Sequence, residues 1–272
     1  MITDDEFQRI SVYLKHKCGI DMADKKKIVD GRLGNYVKNM GWKNYHEYMD
    51  ALERDSSGRL ERELLNYLTT NYTYFMREFE HLEFFKKEVL PWLKQKESGT
   101  KDLRVWCGAA STGEEPYMIA MVIKEFFGIE GASWDTKILA TDISMQVLQQ
   151  AFQGIYSGDK LNSLPAQWKK RFFRKMKGQG VQMYQVCDEL KKEVVFRQFN
   201  LMNPFPFKKK MHAVFLRNVM IYFDEKTKKE LLQKVYNLLQ PGGYLFIGMT
   251  ESINREAVPF QAVEPSVFRK PL

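Results

Sequence analysis

The residues with the clearest capacity for chemistry lie in segment 103–117, where a strand-like apolar run leads into a turn of small residues and an acidic helix start. Gly108 and Gly113 have the spacing of the first half of a phosphate-binding loop, but Glu114 and Glu115 replace the Lys and Ser or Thr that should follow. Two carboxylates would repel a triphosphate. Because glycines let the backbone approach a ligand closely, the segment predicts a nucleotide-type site for a ligand that carries positive charge.

S-adenosylmethionine, a nucleoside that carries a sulfonium and an ammonium group, meets this requirement, whereas NAD and ATP fit it badly. Acids in the first turn of a helix are stabilised by its dipole, and Pro116 suits the first helical position. The alternative is an ordinary strand-to-helix turn whose acids serve only the helix.

Asp142 ends the second predicted strand, where doubly wound folds place an acid that binds the two ribose hydroxyls. It follows Gly113 by 29 residues, which is longer than the roughly 20 residues of dinucleotide-binding folds. An Asp that caps the helix at 144 is the competing explanation. We predict the ribose role because Asp142 lies beside the glycine loop in strand order.

The spacing of apolar residues predicts the elements that must position these side chains. Residues 1–68 have apolar side chains mostly three to five positions apart, which predicts a small N-terminal all-helical domain. From residue 103 strands alternate with helices, which predicts an α/β fold with a doubly wound, mainly parallel Rossmann-like sheet and helices on both faces. The predicted strands are 103–109, 137–141, 194–199, 212–217 and 243–248, and the predicted helices are 116–127, 144–152 and 225–239.

About 40 residues, 154–193, interrupt this alternation. Within them, segment 179–186 has apolar residues at every second position, as in an antiparallel strand. We therefore predict a small antiparallel β insert in the sheet domain.

Composition limits the protein classes. A chain of 272 residues, 44% of them hydrophobic, can bury a sizeable core and form two domains. No apolar run reaches the roughly 20 residues that span a bilayer, and the N-terminus lacks the basic start and apolar core of a secretion signal. We therefore expect a cytoplasmic protein without membrane insertion. The three cysteines and four histidines lack disulfide or metal-ligand spacing, so neither a disulfide framework nor a metal site is indicated.

The net charge of +8 is unevenly distributed. Segment 160–210 holds 13 basic and 3 acidic residues, and segment 15–43 holds eight Lys or Arg against three Asp. Both basic zones suit an acidic partner. The alternative for each zone is an ordinary solvated surface.

Five motifs carry a family resemblance. They are Thr-Thr-Asn-Tyr-Thr-Tyr-Phe-Met-Arg-Glu at 69–78, Ala-Ser-Thr-Gly-Glu-Glu-Pro-Tyr at 110–117, Ala-Thr-Asp-Ile at 140–143, Asn-Leu at 200–201 and Phe-Leu-Arg-Asn-Val-Met-Ile-Tyr-Phe at 215–223. With them the chain closely resembles the chemotaxis protein methyltransferases, the CheR family, over nearly its whole length. Departures are small: Met76 stands where Phe is usual, and Cys107-Gly108 where the family often has Ser-Ala.

The resemblance implies that the chain methylates glutamate side chains on the cytoplasmic domains of methyl-accepting chemotaxis receptors, with S-adenosylmethionine as methyl donor and S-adenosylhomocysteine as product. It implies a receptor-recognition domain at 1–70, a linker and cofactor lid at 71–95 and a catalytic domain at 96–272. A glutamate has an unperturbed pKa of about 4.3, so it is already an anion at neutral pH and needs no general base. The lack of a convincing His or Cys base agrees with this chemistry.

The resemblance also assigns roles to single residues. Arg77 and Tyr222 are the implied catalytic residues, since Arg77 can orient a carboxylate by two hydrogen bonds and Tyr222 can donate a third. The implied cofactor-binding residues are Asn71, Thr73 and Arg77 in the lid, Gly108 in the loop, Glu115 at the charged end, Asp142 at the ribose, Asn200 and Leu201 at the adenine edge, and Arg217 and Asn218 in the remaining wall. Two alternatives remain: Asn71 or Thr73 caps a helix that starts near Tyr74, and Arg217 pairs structurally with an acid.

For substrate binding, the basic helix around Lys25, Lys26 and Arg32 resembles the receptor-facing element of the family. These residues lie far along the chain from the cofactor motifs, so we expect charge reversal there to leave cofactor affinity intact. The basic insert region is a second candidate contact for the acidic receptor. In some family members the β insert binds a receptor's C-terminal peptide by strand addition. We expect a monomer.

Two other functional classes are consistent with parts of the sequence. An RNA methyltransferase would explain the basic charge, but the chain has neither an RNA-binding motif nor the Pro-Cys nucleophile of cytosine enzymes. We therefore expect no nucleic-acid partner. A non-catalytic signalling module would keep the fold and lose the chemistry, and the presence of Arg77, Asp142 and Tyr222 argues against it.

Overall fold

The computed structural model describes residues 1–178, 180–254 and 257–272. The N-terminal part folds into helices α1 (Asp4–Cys18), α2 (Lys26–Asn39), α3 (Tyr45–Arg54) and α4 (Arg59–Leu68). Helix α1 starts with a capping box between Thr3 and Glu6 and ends at Gly19, whose φ of 73° is left-handed. The predicted all-helical domain is confirmed.

A long helix connects this part to the sheet. Helix α5 (Glu80–Phe84) continues through a π-helical turn (Phe85–Val89) into α6 (Leu90–Lys96). The ring of Phe85 packs edge-on against Phe215 and Phe246, at centroid distances of 5.3 and 6.0 Å. The helix is thereby fixed to one face of the sheet.

The main sheet has the strand order β6-β2-β1-β7-β8-β10-β9. Strands β6, β2, β1, β7 and β8 are parallel, and β10 is antiparallel to both of its neighbours. The predicted doubly wound sheet is confirmed, whereas β9 and β10 were not predicted. The strands are β1 (Val105–Cys107), β2 (Ile138–Asp142), β6 (Val194–Gln198), β7 (Met211–Leu216), β8 (Leu239–Ile247), β9 (Gln261–Glu264) and β10 (Val267–Arg269).

The sheet separates two hydrophobic cores, because successive side chains of a strand point to opposite faces. Val105 and Cys107 belong to the core formed with α5, α6 and α7 (Glu114–Phe127). Trp106 belongs to the other core, which includes α11 (Glu225–Leu238) and the apolar side chains of α1 to α4. The helical part therefore shares a continuous core with one face of the sheet.

The β insert follows helix α8 (Met145–Gln153). It contains β3 (Ile155–Ser157), α9 (Ala166–Phe172), β4 (Phe173–Lys175) and β5 (Met183–Val186), and the chain returns to β6 through α10 (Asp188–Lys191). Its strands are antiparallel in the order β3-β5-β4, which confirms the predicted insert. The described part of the predicted strand 179–186 is extended from Met183 onward, and residue 179 lies outside the described residues.

The insert supports the turn between β1 and α7. The Tyr156 hydroxyl donates to the Thr112 carbonyl at 2.7 Å, and Lys160 forms an ion pair with Glu114 at 2.7 Å. The glycine loop of the predicted site is thus held from outside by the insert.

The helical part is joined to the sheet part by backbone contacts. The Asp21 N–H donates to the Tyr222 carbonyl at 2.8 Å, and Ile20 forms an antiparallel bridge with Phe223. Lys15 adds an ion pair of 2.7 Å to Asp224, which caps α11. These contacts place the start of α2 beside the loop after β7.

Among the described residues, no helix combines the length and apolar character needed to cross a membrane. The same residues contain no group of three or more His, Cys, Asp or Glu side chains that could hold a metal ion. Cys18, Cys107 and Cys187 are free and buried.

The stability of the helical domain should depend on Glu6, a buried carboxylate that joins α1 to α3. Its oxygens accept from the Thr3 N–H at 2.8 Å and the Tyr45 N–H at 3.0 Å. Burial alone would raise the pKa of Glu6, but hydrogen bonds from Thr3, Tyr45 and His46 hold it below its usual value. We expect Glu6→Gln to destabilise the protein at pH 7 by about 1–3 kcal/mol, because buried N–H groups lose an ionised acceptor.

A lowered folded-state pKa stabilises the fold above the unfolded value and stops doing so as the pH falls through the folded value. Urea unfolding at pH 7 and pH 4 should therefore show a smaller difference between Glu6→Gln and wild type at the lower pH. Asp5→Asn, on the exposed side of the same helix turn, is the matched control. A difference that grows toward low pH would contradict this assignment.

Candidate active site

A cavity of about 380 Å³ lies between the helical part and the carboxyl ends of β1, β2 and β7. This volume is in the range of small-molecule sites. All of the predicted site residues except Lys26 line it, namely Lys25, Arg32, Asn71, Thr73, Arg77, Gly108, Glu115, Asp142, Asn200, Leu201, Arg217, Asn218 and Tyr222. The five sequence motifs, which extend over residues 69–223, therefore meet at one place.

Arg217 follows β7 directly, and its guanidinium is buried between two acids. It donates to a Glu115 oxygen at 2.8 Å and to a Glu78 oxygen at 3.1 Å. A further bond of 2.6 Å goes to the Arg77 carbonyl. The alternative that Arg217 pairs structurally with an acid is thus correct, and the pair forms part of the cavity wall.

Glu78 was missed by the sequence analysis. Its other oxygen accepts from the Asn218 amide at 3.1 Å. Burial would raise the pKa of Glu78, but the Asn218 hydrogen bond and the Arg217 charge lower it below the usual value, so it stays ionised. Glu78 lies next to Arg77 in the first motif, but it is 139 residues from Arg217, and no spacing rule indicates that pairing.

Of the two adjacent acids at the start of α7, Glu115 is the one that lines the cavity. It accepts from the Cys107 thiol at 3.3 Å as well as from Arg217. Burial raises the pKa of Glu115, and the Arg217 charge offsets only part of that effect. A second positive charge in the cavity would therefore stabilise its ionised form.

Glu114 points away from the cavity and is fully buried against Lys160 and Thr112. Helix α7 begins at Glu114, after Gly113 with φ 95°, so Pro116 is the third helical residue and its predicted first position is wrong. Proline is accepted there because N–H groups of the first turn have no partner within the helix.

Asp142 links two loops at the carboxyl edge of the sheet. Its oxygens accept from the Ser111 N–H at 2.8 Å and the Ser144 N–H at 3.0 Å. The cap of α8 is Ser144, whose hydroxyl accepts from the Val147 N–H, so the capping alternative for Asp142 is wrong. Burial raises the pKa of Asp142 despite these bonds. Each carboxylate oxygen retains a lone pair that can accept from a ligand hydroxyl.

Segment 69–79, here called the strap, crosses the cavity without forming a helix. Helix α5 starts only at Glu80, so neither Asn71 nor Thr73 caps a helix and that alternative is wrong. The Asn71 carbonyl accepts from the Ser111 hydroxyl at 2.9 Å. The Arg77 guanidinium donates to the Tyr72 carbonyl at 2.9 Å and lies within the cavity lining.

Left-handed backbone concentrates around this cavity. Met76 and Glu78 in the strap have φ of 69° and 46°, Ser111 in the loop has 47° and Asn218 has 55°. Such conformations cost a non-glycine residue about 1–3 kcal/mol unless its surroundings enforce them. The Arg217 ion pairs and the bonds to Asp142 supply that enforcement.

Glu251 organises the loop after β7 and was also missed from the sequence. Its carboxylate accepts from the N–H groups of Asn218 at 2.9 Å, Met220 at 2.7 Å and Gly248 at 2.6 Å. The loop it holds carries Tyr222, which is half-buried in the cavity wall. The position of the Tyr222 ring therefore depends on Glu251.

Asn200 connects the two parts of the chain. Its amide donates to the Lys17 carbonyl at 2.7 Å, and its oxygen accepts from the Met202 N–H at 2.9 Å. Leu201 is buried beside it, and its carbonyl accepts from Lys234 at 2.6 Å. Both residues line the cavity, and their adenine role stays a prediction.

Lys25, at the N-cap of α2, and Arg32 within α2 are close in space to the cofactor motifs, although they are far from them along the chain. The Lys25 ammonium lies 6.0 Å from the Tyr222 ring centre, and Arg32 donates to the Thr70 hydroxyl at 3.2 Å. Lys26 lies outside the cavity lining and forms an ion pair of 2.6 Å with Asp4. Charge reversal at Lys25 or Arg32 would therefore also alter the cavity.

Comparison with known families accounts for both parts of the chain. The model of the CheR methyltransferase all-alpha domain matches residues 5–69, and the model of the CheR methyltransferase SAM binding domain matches residues 71–268. The chain belongs to the CheR methyltransferase family.

Relatives of this CheR-family chain match along most of their length. A chemotaxis protein methyltransferase of Borreliella burgdorferi is 39% identical, with 99% of this chain and 95% of the relative covered. One of Escherichia coli is 36% identical, with 93% and 86% covered. Chemotaxis protein methyltransferase 2 of Pseudomonas aeruginosa is 36% identical, with 98% and 93% covered.

The cofactor of this CheR-family chain is S-adenosylmethionine. The residues that line the cavity also suit the charge and the hydroxyl groups of S-adenosylmethionine. The Arg217 charge only partly offsets the burial of Glu115, so a positively charged ligand would stabilise this carboxylate. The oxygens of Asp142 retain lone pairs that can accept from ligand hydroxyls. A cavity of about 380 Å³ also suits a small nucleoside. The prediction that the chain binds S-adenosylmethionine is thereby confirmed.

The predicted ribose contact of Asp142 can be tested by calorimetry. Asp142→Ala should weaken binding of both S-adenosylmethionine and S-adenosylhomocysteine, because two hydroxyls lose a charged acceptor that contributes about 1.5–3 kcal/mol for each bond. Asp159→Ala, which removes an exposed carboxylate from the insert, is the control. An unchanged dissociation constant in a folded Asp142→Ala protein would remove Asp142 from the site.

Proposed function

We propose that this chain transfers the methyl group of S-adenosylmethionine to glutamate side chains of methyl-accepting chemotaxis receptors, and that the resulting methyl esters serve sensory adaptation. The relatives named as chemotaxis protein methyltransferases support the receptor as substrate. The observation that carries the glutamate assignment is the charge distribution of the cavity.

On the sheet side of the cavity the acids outnumber the single cation, Arg217, whereas the side of the helical part carries cations. Glu115 and Asp142 come from the sheet side, whereas Lys25 and Arg32 come from the helical part. Arg77 adds a cation from the strap. The acid side suits a positively charged cofactor, and the basic side suits an anionic acceptor. A carboxylate is the acceptor that meets this condition.

Among the described residues, the carboxylates that line the cavity are already engaged, Glu115 by Arg217 and Asp142 by the N–H groups of Ser111 and Ser144. Within the described part of the chain, no histidine lines the cavity. The cysteine that does, Cys18, has its pKa raised to about 12 by burial, and its thiol donates to the Leu14 carbonyl at 3.0 Å. An amine or alcohol acceptor would need a base, whereas a glutamate with a pKa of about 4.3 is already ionised.

Bound in the cavity, S-adenosylmethionine supplies a methyl group on a sulfonium, and its transfer to a carboxylate oxygen leaves the thioether S-adenosylhomocysteine with no proton moved. The protein's task is to align the carboxylate and exclude water, and such ordering can contribute roughly 7–11 kcal/mol. We assign the alignment to Arg77 and Tyr222. Among the described residues, the Arg77 guanidinium donates through one nitrogen to the Tyr72 carbonyl, which leaves its other N–H groups for a bidentate contact. Within the same residues, the Tyr222 hydroxyl has a long contact of 3.5 Å to the Thr70 carbonyl.

For the cofactor, we assign Glu115 to the charged end, Asp142 to the ribose, and Asn200 and Leu201 to the adenine edge. The remaining contacts go to Asn71 and Thr73 in the strap, Gly108 in the loop, and Arg217 and Asn218 in the wall. The strap then acts as the lid, and segment 71–95 is the linker between a receptor-recognition domain at 1–70 and a catalytic domain at 96–272.

The basic residues of α2 are proposed to meet the acidic receptor helix, with Lys25 and Arg32 at the cavity and Lys26 beside it. The exposed cations of the insert are proposed as a second contact. We further propose that the chain works as a monomer in the cytoplasm, where the receptor's methylated helices lie.

The function is tested by incubating the protein with methyl-labelled S-adenosylmethionine and receptor-bearing membranes. We expect label in the receptor that mild alkali releases as methanol, because a carboxylic ester hydrolyses under conditions that leave methylated amines intact. The rate at limiting receptor should fall with added salt, since exposed charges are screened over about 8–10 Å near physiological ionic strength. Alkali-stable label would contradict a glutamate acceptor.

Tyr222→Phe separates catalysis from cofactor binding. Removing the hydroxyl should lower kcat by about tenfold or more, as expected for the loss of one hydrogen bond of about 1.5 kcal/mol to a charged group. The dissociation constant for S-adenosylhomocysteine should change little, because the ring stays in the wall. Equal kcat in the two proteins would exclude Tyr222 from the catalytic residues.

A further inference from the structure

The side chains of the strap differ in exposure. Along residues 71–74 half-buried and exposed side chains alternate. Asn71 and Thr73 are half-buried, whereas Tyr72 and Tyr74 remain 73% and 43% exposed. The strap therefore presents polar, half-buried side chains that are assigned to the cofactor and two more exposed aromatic rings.

These rings belong to an apolar rim, which we define as Ile28, Tyr72 and Tyr74. The two tyrosine rings lie 5.6 Å apart, and Ile28 on α2 is 46% exposed. All three residues line the same cavity as the cofactor motifs. Single exposed apolar residues are normal on a protein surface, but a group at one cavity marks an interaction site.

Cations surround the rim. Ile28 and Arg32 are four positions apart on α2, so they share one face of the helix, and Lys25 at its N-cap lines the same cavity. On the other side, Arg77 lies 5.9 Å from the Tyr74 ring centre. An apolar centre with a charged border is the usual composition of a protein interface, and here the border selects an acidic partner.

We propose that the apolar rim docks the receptor helix that carries the acceptor glutamate, and that it selects acceptors with an apolar side chain one helical turn away. This inference rests on the proposed function. A helix with its side chains is about 10–12 Å wide, and residues three or four positions apart have Cβ atoms about 5–6 Å apart. A glutamate inserted into the cavity therefore brings the side chain one turn away against the rim.

Tyr72 is the residue to change first. Its side chain is mostly solvent-exposed, and the bond from Arg77 goes to its backbone carbonyl, which Tyr72→Ala retains. We expect Tyr72→Ala to raise the KM for receptor at least fivefold, as aromatic anchors at interfaces do when truncated. The kcat and the dissociation constant for S-adenosylmethionine should stay within twofold of wild type. Tyr72→Phe, which keeps the ring, should restore the KM.

The matched control is Phe152→Ala, which removes an aromatic ring that is 69% exposed on α8, outside the cavity lining. Its KM should equal that of wild type. Receptor variants provide a second test: replacing the apolar residue one turn from the acceptor glutamate by Ser should raise the KM of the wild-type enzyme but add little in Tyr72→Ala, because both changes remove one contact.

Three results would overturn the proposal. An unchanged receptor KM in Tyr72→Ala beside an active wild type would mean that the rim does not dock the acceptor helix, and the proposed function would stand. Weaker S-adenosylmethionine binding in Tyr72→Ala would make Tyr72 a cofactor contact. Absence of receptor methylation by the wild-type protein would overturn both the proposed function and the docking role.

Discussion

The buried Arg217 guanidinium is the interaction on which the site depends. It joins three segments that are far apart in the chain: α7 through Glu115, the strap through Glu78, and the end of β7 that carries Arg217 itself. Removing Arg217 would leave two carboxylates without their cationic partner, and breaking a buried ion pair in this way costs about 3–5 kcal/mol. Because one arginine serves two carboxylates, the cavity keeps an excess of negative charge on its sheet side. That excess is what a sulfonium or ammonium group would neutralise.

The remaining features of the site serve to hold this arrangement in place. The strap and the loops after β1 and β7 contain non-glycine residues in left-handed backbone. The strap is anchored by Arg217, and each of the two loops is anchored by a carboxylate that accepts from its backbone. Asp142 holds the loop at Ser111, Glu251 holds the loop at Asn218, and the insert supports the glycine turn through Tyr156. Rigid support of this kind is needed where the reaction depends on alignment rather than on proton transfer.

Much of this architecture could be predicted from the sequence because its signals are local. Three features can each be recognised from residues that lie within one or two helical turns or strands of one another. They are the helical periodicity of residues 1–68, the alternation of strands and helices after residue 103, and the glycine loop. Strands β9 and β10 lack such a signal. In β9 every side chain is exposed, so buried and exposed residues do not alternate along it. Glu78, Glu251 and the approach of Lys25 to Tyr222 could not be predicted, because each depends on contacts between segments 30 to almost 200 residues apart. The prediction that α7 starts at Pro116 was wrong, because the helix starts two residues earlier, at Glu114.

The most direct test of this account is a crystal structure of the protein with S-adenosylhomocysteine. We expect the Glu115 pair with Arg217 to remain intact, Glu115 also to contact the ammonium of the ligand, and both oxygens of Asp142 to accept from the ribose hydroxyls. The sulfur should then lie near Tyr222 and Arg77, on the side of the cavity that opens toward Tyr72. A ligand bound elsewhere, or an Arg217 side chain displaced from Glu115 by the ligand, would contradict the central role given to the arginine.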